Sequence, residues 1–164
     1  MRTKTKTWAV YKFDELSPDV QDKVIDKMAD INVNYEWWDF IYDDAKDIYL
    51  KIKEFDLDRN RYCKAEFIQS AYDTAQAILK NHGEKCETYK TASEYLKDYE
   101  NIEKNTPDDE DLDTEQIDKD FLYSLQEDYG IILQKEYEYL TSRKVILETI
   151  EANEYEFTQN GHLS

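Results

Sequence analysis

Glycine is scarce in this chain, three residues in 164, and proline scarcer still, with two. So few of either leave little material for tight turns, which argues against a many-stranded sandwich and for helices. Gly83, Gly130 and Gly161 stand far apart, so neither a phosphate-cradling loop nor a dinucleotide fingerprint can be assembled from them. Two cysteines, Cys63 and Cys86, are too few for a disulfide framework, and free thiols of a cytosolic chain are the plain reading. They also lack the CxxC spacing of zinc or redox sites. Of two histidines, His82 precedes Gly83 at an expected helix end, where it caps more often than it catalyses, and His162 lies in the last few residues. No run approaches the roughly 20 apolar residues that span a bilayer. Residues Met1–Lys6 lead directly into a short alternating run with no apolar stretch of signal-peptide length. A soluble cytoplasmic protein is expected.

Acid is what the chain has in excess, with a net charge of −17. The excess is uneven. Residues 1–50 hold 7 basic and 11 acidic side chains, residues 51–97 hold 9 and 8, and residues 98–164 hold 5 and 19. A disordered acidic tail would be poor in aromatics, yet this last segment contains six Tyr and two Phe. The acidity therefore belongs to a folded region.

Hydrophobic periodicity outlines an α+β protein: a single helix-rich domain over 1–164, with five or six helices and a small, mostly antiparallel sheet. Residues 5–13 read as a strand. Ser17-Pro18-Asp19 starts a helix expected to end near Asn32–Asn34. A second helix is expected over about 35–50, with Trp38, Ile41, Tyr42, Ala45, Ile48 and Tyr49 inward and Trp37 outward. Residues 51–58 and 62–67 read as a hairpin. Ser70–Asn81 is amphipathic and Gly83 stands where a C-cap glycine belongs. Helices follow over 88–104, 114–140 (weakened at Gly130 by about 1 kcal/mol) and 143–152. Between the first two of these lies an acidic loop, about 105–113, broken by Pro107. Residues 155–158 read as a strand and Asn160-Gly161 as a turn.

Two carboxylate groupings could carry chemistry. Asp109-x-Asp111-x-Asp113, with Asp120 at the twelfth place, has the alternation of a calcium loop. It departs from that pattern with Thr114 at the sharp-turn position and Asp rather than Glu at the bidentate one. A solvated linker is the alternative. Asp56 and Asp58, two apart at a strand end, could share a magnesium ion for phosphoryl transfer. Charges discouraging edge pairing are the alternative there. No cofactor or resident metal is expected. Direct nucleic-acid binding is not expected either, because the one basic cluster noted, Arg59, Arg61 and Lys64, is small and a −17 molecule repels a duplex.

What remains is an acidic surface laced with tyrosine. From Asp98 to Asp120 there are 11 acids and 2 lysines. At about 1.5 Å per residue this reaches roughly half the charge density of duplex DNA. The candidate partner-binding residues are Asp108, Asp109, Glu110, Asp111, Asp113, Glu115, Asp118 and Asp120, with Tyr95, Tyr99 and Tyr123 supplying contact area at low entropic cost. Four segments carry a resemblance: YKFDELSPDVQDKVID (11–26), WWDFIYDDAKDI (37–48), FDLDRNRYCKAEF (55–67) and EYEYLTSRKVILETIEANEYEFTQNG (136–161). In these the chain resembles small acidic proteins of phages and mobile elements of gut bacteria, of the type II anti-CRISPR kind. The resemblance implies inhibition of an RNA-guided DNA nuclease by binding, without turnover, in the cytoplasm of a bacterial host. The implied partner is a CRISPR nuclease with its guide RNA, and no individual site residue carries across. The alternatives are a metal-dependent phosphoryl-transfer enzyme using Asp56 and Asp58, and an antitoxin-like binder of a basic toxin.

Overall fold

The computed structural model describes residues 1–164, which form two compact units, one of residues 1–37 with 136–164 and one of residues 38–135. Six α-helices and two small antiparallel sheets give the α+β class. No helix is long and apolar enough to cross a membrane.

In the first unit, α1 (Pro18–Lys27) starts where its sequence dictates. Ser17 Oγ accepts from the Val20 amide at 3.4 Å and Pro18 takes the first turn, where no amide is needed. It ends earlier than periodicity suggested, and residues 28–34 turn instead. The buried Asn32 accounts for this: its Nδ2 donates to the Leu140 carbonyl at 2.9 Å and its Oδ1 accepts from Thr149 at 2.7 Å. Those tertiary bonds outweigh one more helical turn. Helix α6 (Arg143–Ala152) has a Ser142 N-cap and buries Val145, Ile146 and Ile150, as expected. It packs on α1 around Phe13, Leu16, Val24, Ile146, Ile150 and Phe157, with Arg143 bridging to Asp22 at 2.8 Å.

The strand expected over 5–13 is reduced to β1 (Tyr11–Lys12), which pairs with β4 (Glu156–Phe157). Its partner runs out. After Phe157 the chain turns, with Gly161 donating to the Thr158 carbonyl, and comes back to bridge Phe157 with Leu163. Residues 1–10 have nothing to pair with and are exposed. The turn at Asn160-Gly161 forms, with Gly161 at φ +86°.

In the second unit, α2 (Asp39–Asp47) is shorter than the 35–50 expected, with Ile41 and Ala45 inward and Ile48 buried just past its end. Trp37 is buried rather than outward, because it precedes the helix and the 3.6-residue period does not govern it. Its ring lies 5.7 Å from that of Tyr137, within the first unit. Tyr49 is exposed rather than inward: it takes φ +62°, which turns the chain out of α2 and into the hairpin.

Strands β2 (Leu50–Asp56) and β3 (Tyr62–Phe67) pair from Leu50↔Phe67 to Asp56↔Tyr62, with an irregularity between Ile52 and Glu54. Leu50, Ile52, Cys63 and Ala65 face the core. Helix α3 (Ala71–Asn81) has its Ser70 cap, 3.0 Å from the Asp73 amide, and packs on α4 (Glu87–Asn105). Gly83 is not a left-handed cap: α3 closes on His82, in an extended conformation, through its amide to Ile78 at 2.8 Å. Helix α5 (Glu115–Leu140) runs through Gly130 without a break.

Candidate functional site

Helices α4 and α5 run antiparallel through residue 128, fixed at three levels. Thr91 donates to Asp128 at 2.7 Å, Tyr95 stacks on Phe121 with centroids 4.4 Å apart, and the Tyr95 hydroxyl donates to Asp118 at 2.6 Å. Residues 106–114 form the tip of this helical hairpin. Thr106 closes α4, its hydroxyl donating to the Ile102 carbonyl at 2.6 Å. Pro107 prevents the helix from resuming, and Glu110 donates back to its carbonyl at 3.0 Å. Asp113 Oδ1 accepts from the Glu115 amide at 3.3 Å, placing a carboxylate at the positive end of α5. The acids from Asp98 to Asp120 thus crowd the tip of a hairpin and the turns beside it, rather than lining one straight rod.

Most of them are free. Among the 11 acids of this stretch only Glu100 and Glu115 are in ion pairs, with Lys104 and Lys119, each at 3.1 Å. Asp108, Asp109, Glu110, Asp111 and Asp113 are all exposed. Asp120 is exposed and accepts only from Gln116 on its own helix, at 3.0 Å. Asn101, Ile102, Asn105 and Thr106 face Glu110, Asp111 and Asp113 across an open groove of about 310 Å³.

Two of the eleven expected contact residues face inward. Tyr95 is only 4 % exposed, and burial, reinforced by Asp118, raises its phenol well above the usual range. Asp118 accepts from Tyr95 and also from Thr114 at 3.0 Å. The pair locks the hairpin and holds the tip in place. Helical spacing put both residues near the tip, but it could not tell a tyrosine whose hydroxyl meets a neighbouring helix from one that meets solvent. Tyr99 is half-buried, its ring 4.7 Å from that of Tyr72, while Tyr123 is 66 % exposed. Tyr72 is an aromatic neighbour of the site that the acidic stretch itself does not reveal.

The other groupings do not assemble. Asp56 ends β2 and Asp58 lies in the turn beyond, its amide donating to Asp56 Oδ1 at 2.9 Å. The pair is a turn rather than two carboxylates on one strand face. No group of three or more His, Cys, Asp or Glu side chains is placed to hold a metal ion, at Asp109–Asp113 or elsewhere. The Arg59–Lys64 cluster is largely neutralised: Arg61 meets Glu127 at 3.3 Å and Gln134 at 2.8 Å, and Lys64 meets Glu54 at 3.1 Å. Burial pushes the Cys63 thiol up to about 11, which makes it unreactive, whereas Cys86 is exposed.

His82 enters a network that spacing could not show, because its members come from four separate elements. Its Nδ1 lies 2.6 Å from Thr88 Oγ1, and its shielded Nε2 lies 3.3 Å from Asp44, close enough for charge but out of line for a hydrogen bond. Tyr129 donates to the same Asp44 oxygen at 2.9 Å. The nearby His82 ring, with the hydrogen bond from Tyr129, lowers the Asp44 carboxyl. This ties α2, the end of α3, α4 and α5 together around the enclosed Thr88. Comparison with protein-family models, with curated proteins and with solved structures found no match.

Proposed function

We propose that the chain is a non-enzymatic inhibitor which binds a basic, nucleic-acid-handling protein through the acidic tip of the α4–α5 hairpin. The partner we infer is an RNA-guided DNA nuclease carrying its guide RNA, in the manner of type II anti-CRISPR proteins, in a bacterial cytoplasm. The observation that supports this reading is a group of five exposed carboxylates, the four consecutive ones from Asp108 to Asp111 and Asp113 beyond Leu112, none in an ion pair, on a tip anchored by the Tyr95–Asp118 hydrogen bond. Such nucleases hold nucleic acid in positively charged channels, and a fixed anionic surface competes for such a channel without chemistry of its own. Like charges held together in the free protein find relief only against cations, which favours fast encounter with a basic groove. Tyr123, exposed on α5 about two turns beyond the tip, supplies short-range contact. The blocked step on this reading is DNA binding or cleavage. The phosphoryl-transfer alternative draws no support from the turn at Asp56 and Asp58.

The test is inhibition of a purified nuclease–guide complex. Potency is expected to fall steeply between about 50 and 300 mM salt, because exposed charges more than a Debye length apart are then screened. Replacing Asp108, Asp109, Asp111 and Asp113 together by Lys is expected to abolish inhibition. Potency that is flat with salt, or retained by the four-fold variant, would sink the reading.

A further inference from the structure

The first 13 residues run against the rest of the chain: they contain Arg2, Lys4, Lys6 and Lys12 and no acid, the first being Asp14. Residues 1–10 are all exposed, and residues 1–9 make no backbone hydrogen bond. Arg2, Lys4 and Lys6 form none of the ion pairs in the structure. Trp8 is 64 % exposed, unusual for so large an apolar ring. Elsewhere the basic residues are often balanced, as Arg61, Lys64 and Arg143 are. Here they are free, next to an unengaged indole.

The sequence of this arm has a period. Arg2, Lys4, Lys6 and Trp8 alternate with Thr3, Thr5 and Thr7. In an extended chain, alternate residues share a side and stand about 6.7 Å apart. One side then carries a row of cations ending in an aromatic ring, and the other a row of hydroxyls. A sheet edge that accepted this strand would read apolar side chains at alternate positions, but most of those positions carry charge. A bilayer surface would need an apolar face, and Trp8 and Val10 alone do not make one. Cations for phosphates, hydroxyl donors for phosphate oxygens and a ring on which a base can stack are the chemistry of a single nucleic-acid strand.

The objection is the molecule's charge of −17, which repels phosphate. Distance answers it. Arg2 lies nine residues before Tyr11, where β1 begins, so an extended arm carries it as far as about 30 Å away. The Debye length is about 8 Å at physiological ionic strength, so the acidic body acts weakly at that range. We propose that residues 1–10 form a strand-like arm that binds single-stranded nucleic acid through Arg2, Lys4, Lys6 and Trp8. This goes beyond the acidic tip and does not depend on what the tip binds.

The experiment is fluorescence anisotropy of labelled 15-nucleotide single strands, DNA and RNA, titrated with the full chain from 20 to 200 mM NaCl. Three or four phosphate contacts give an expected slope of log affinity against log salt of about −2 to −3. The triple variant Arg2→Glu, Lys4→Glu, Lys6→Glu is expected to weaken binding by about 100-fold or more at the lowest salt. Trp8→Ala is expected to weaken it by about tenfold. A control of equal net charge, Lys85→Glu, Lys90→Glu, Lys97→Glu, is expected to stay within about threefold of the unaltered chain, because those lysines lie on the body. Absence of binding at 20 mM salt overturns the proposal, as does equal weakening by the control. So does arm-dependent binding to phosphatidylserine vesicles or to a polyglutamate peptide with none to the oligonucleotides.

Discussion

Gly161 and Gly130 show how one residue type carries opposite consequences. Gly161 sits at φ +86°, and a Cβ there would stand 2.9 Å from Val20 and 3.0 Å from Val24, both on α1. Left-handed backbone disfavours any L side chain by about 1–2 kcal/mol. The methyl would also push into the fully buried Val24. Gly161→Ala is therefore expected to destabilise the first unit by about 2–4 kcal/mol, read as a lower denaturant midpoint at unchanged slope. A shift under half a kcal/mol would mean that the turn relaxes freely. Gly130 is the reverse case. It lies inside α5 at ordinary helical angles, and a Cβ there would meet Arg61 and Cys63 at 3.7–3.9 Å, which is normal contact. Gly130→Ala is expected to stabilise by about 0.5–1 kcal/mol, by restricting the unfolded chain and improving helix propensity. A loss of stability would show that β3 cannot accept the methyl.

At the scale of elements, legibility followed how local the deciding interaction was. Helix starts at Ser17-Pro18, Ser70 and Ser142 were readable because the cap and the amide it serves lie three residues apart. The β2–β3 hairpin was readable from two alternating runs, and the tip at 106–114 from Pro107 and packed like charges. What failed were cases where a distant group decided. The end of α1 is set by Asn32 reaching Leu140 and Thr149, more than a hundred residues away. The reach of β1 is set by where β4 turns. Residues 5–10 have the composition of a strand, yet composition cannot supply a neighbour. The candidate site divides in the same way. Exposed carboxylates at the tip were legible from charge alone, whereas the inward turn of Tyr95 and Asp118 depends on how α4 and α5 face each other. The exposed residues Arg2, Lys4 and Lys6 did not stand out, because a strand reading of 5–13 does not show that the segment stays unpaired.

For the whole molecule, charge sets both stability and recognition. A net of −17 on 164 residues means self-repulsion that opposes compactness. The ion pairs in the structure are mostly between exposed side chains and each contributes little, so screening them loses little. Screening the repulsion therefore dominates. Thermal midpoints are expected to rise by several degrees as NaCl goes from about 10 to 200 mM, where the Debye length falls from about 30 Å to below 10 Å. A flat or falling midpoint would mean that specific pairs outweigh the net field. The four reversals at Asp108, Asp109, Asp111 and Asp113 sharpen this. Each adds two charges, taking the net from −17 to −9. None of the four side chains is in an ion pair, and only Asp113 makes a local bond. Loss of the Asp113 bond and a lysine at the start of α5 offset part of the relief from repulsion, so the variant should stay close to the parent in stability at low salt and show a shallower rise with added salt. That outcome bears directly on recognition: a variant that folds as well and inhibits worse separates the loss of a binding surface from the loss of a fold.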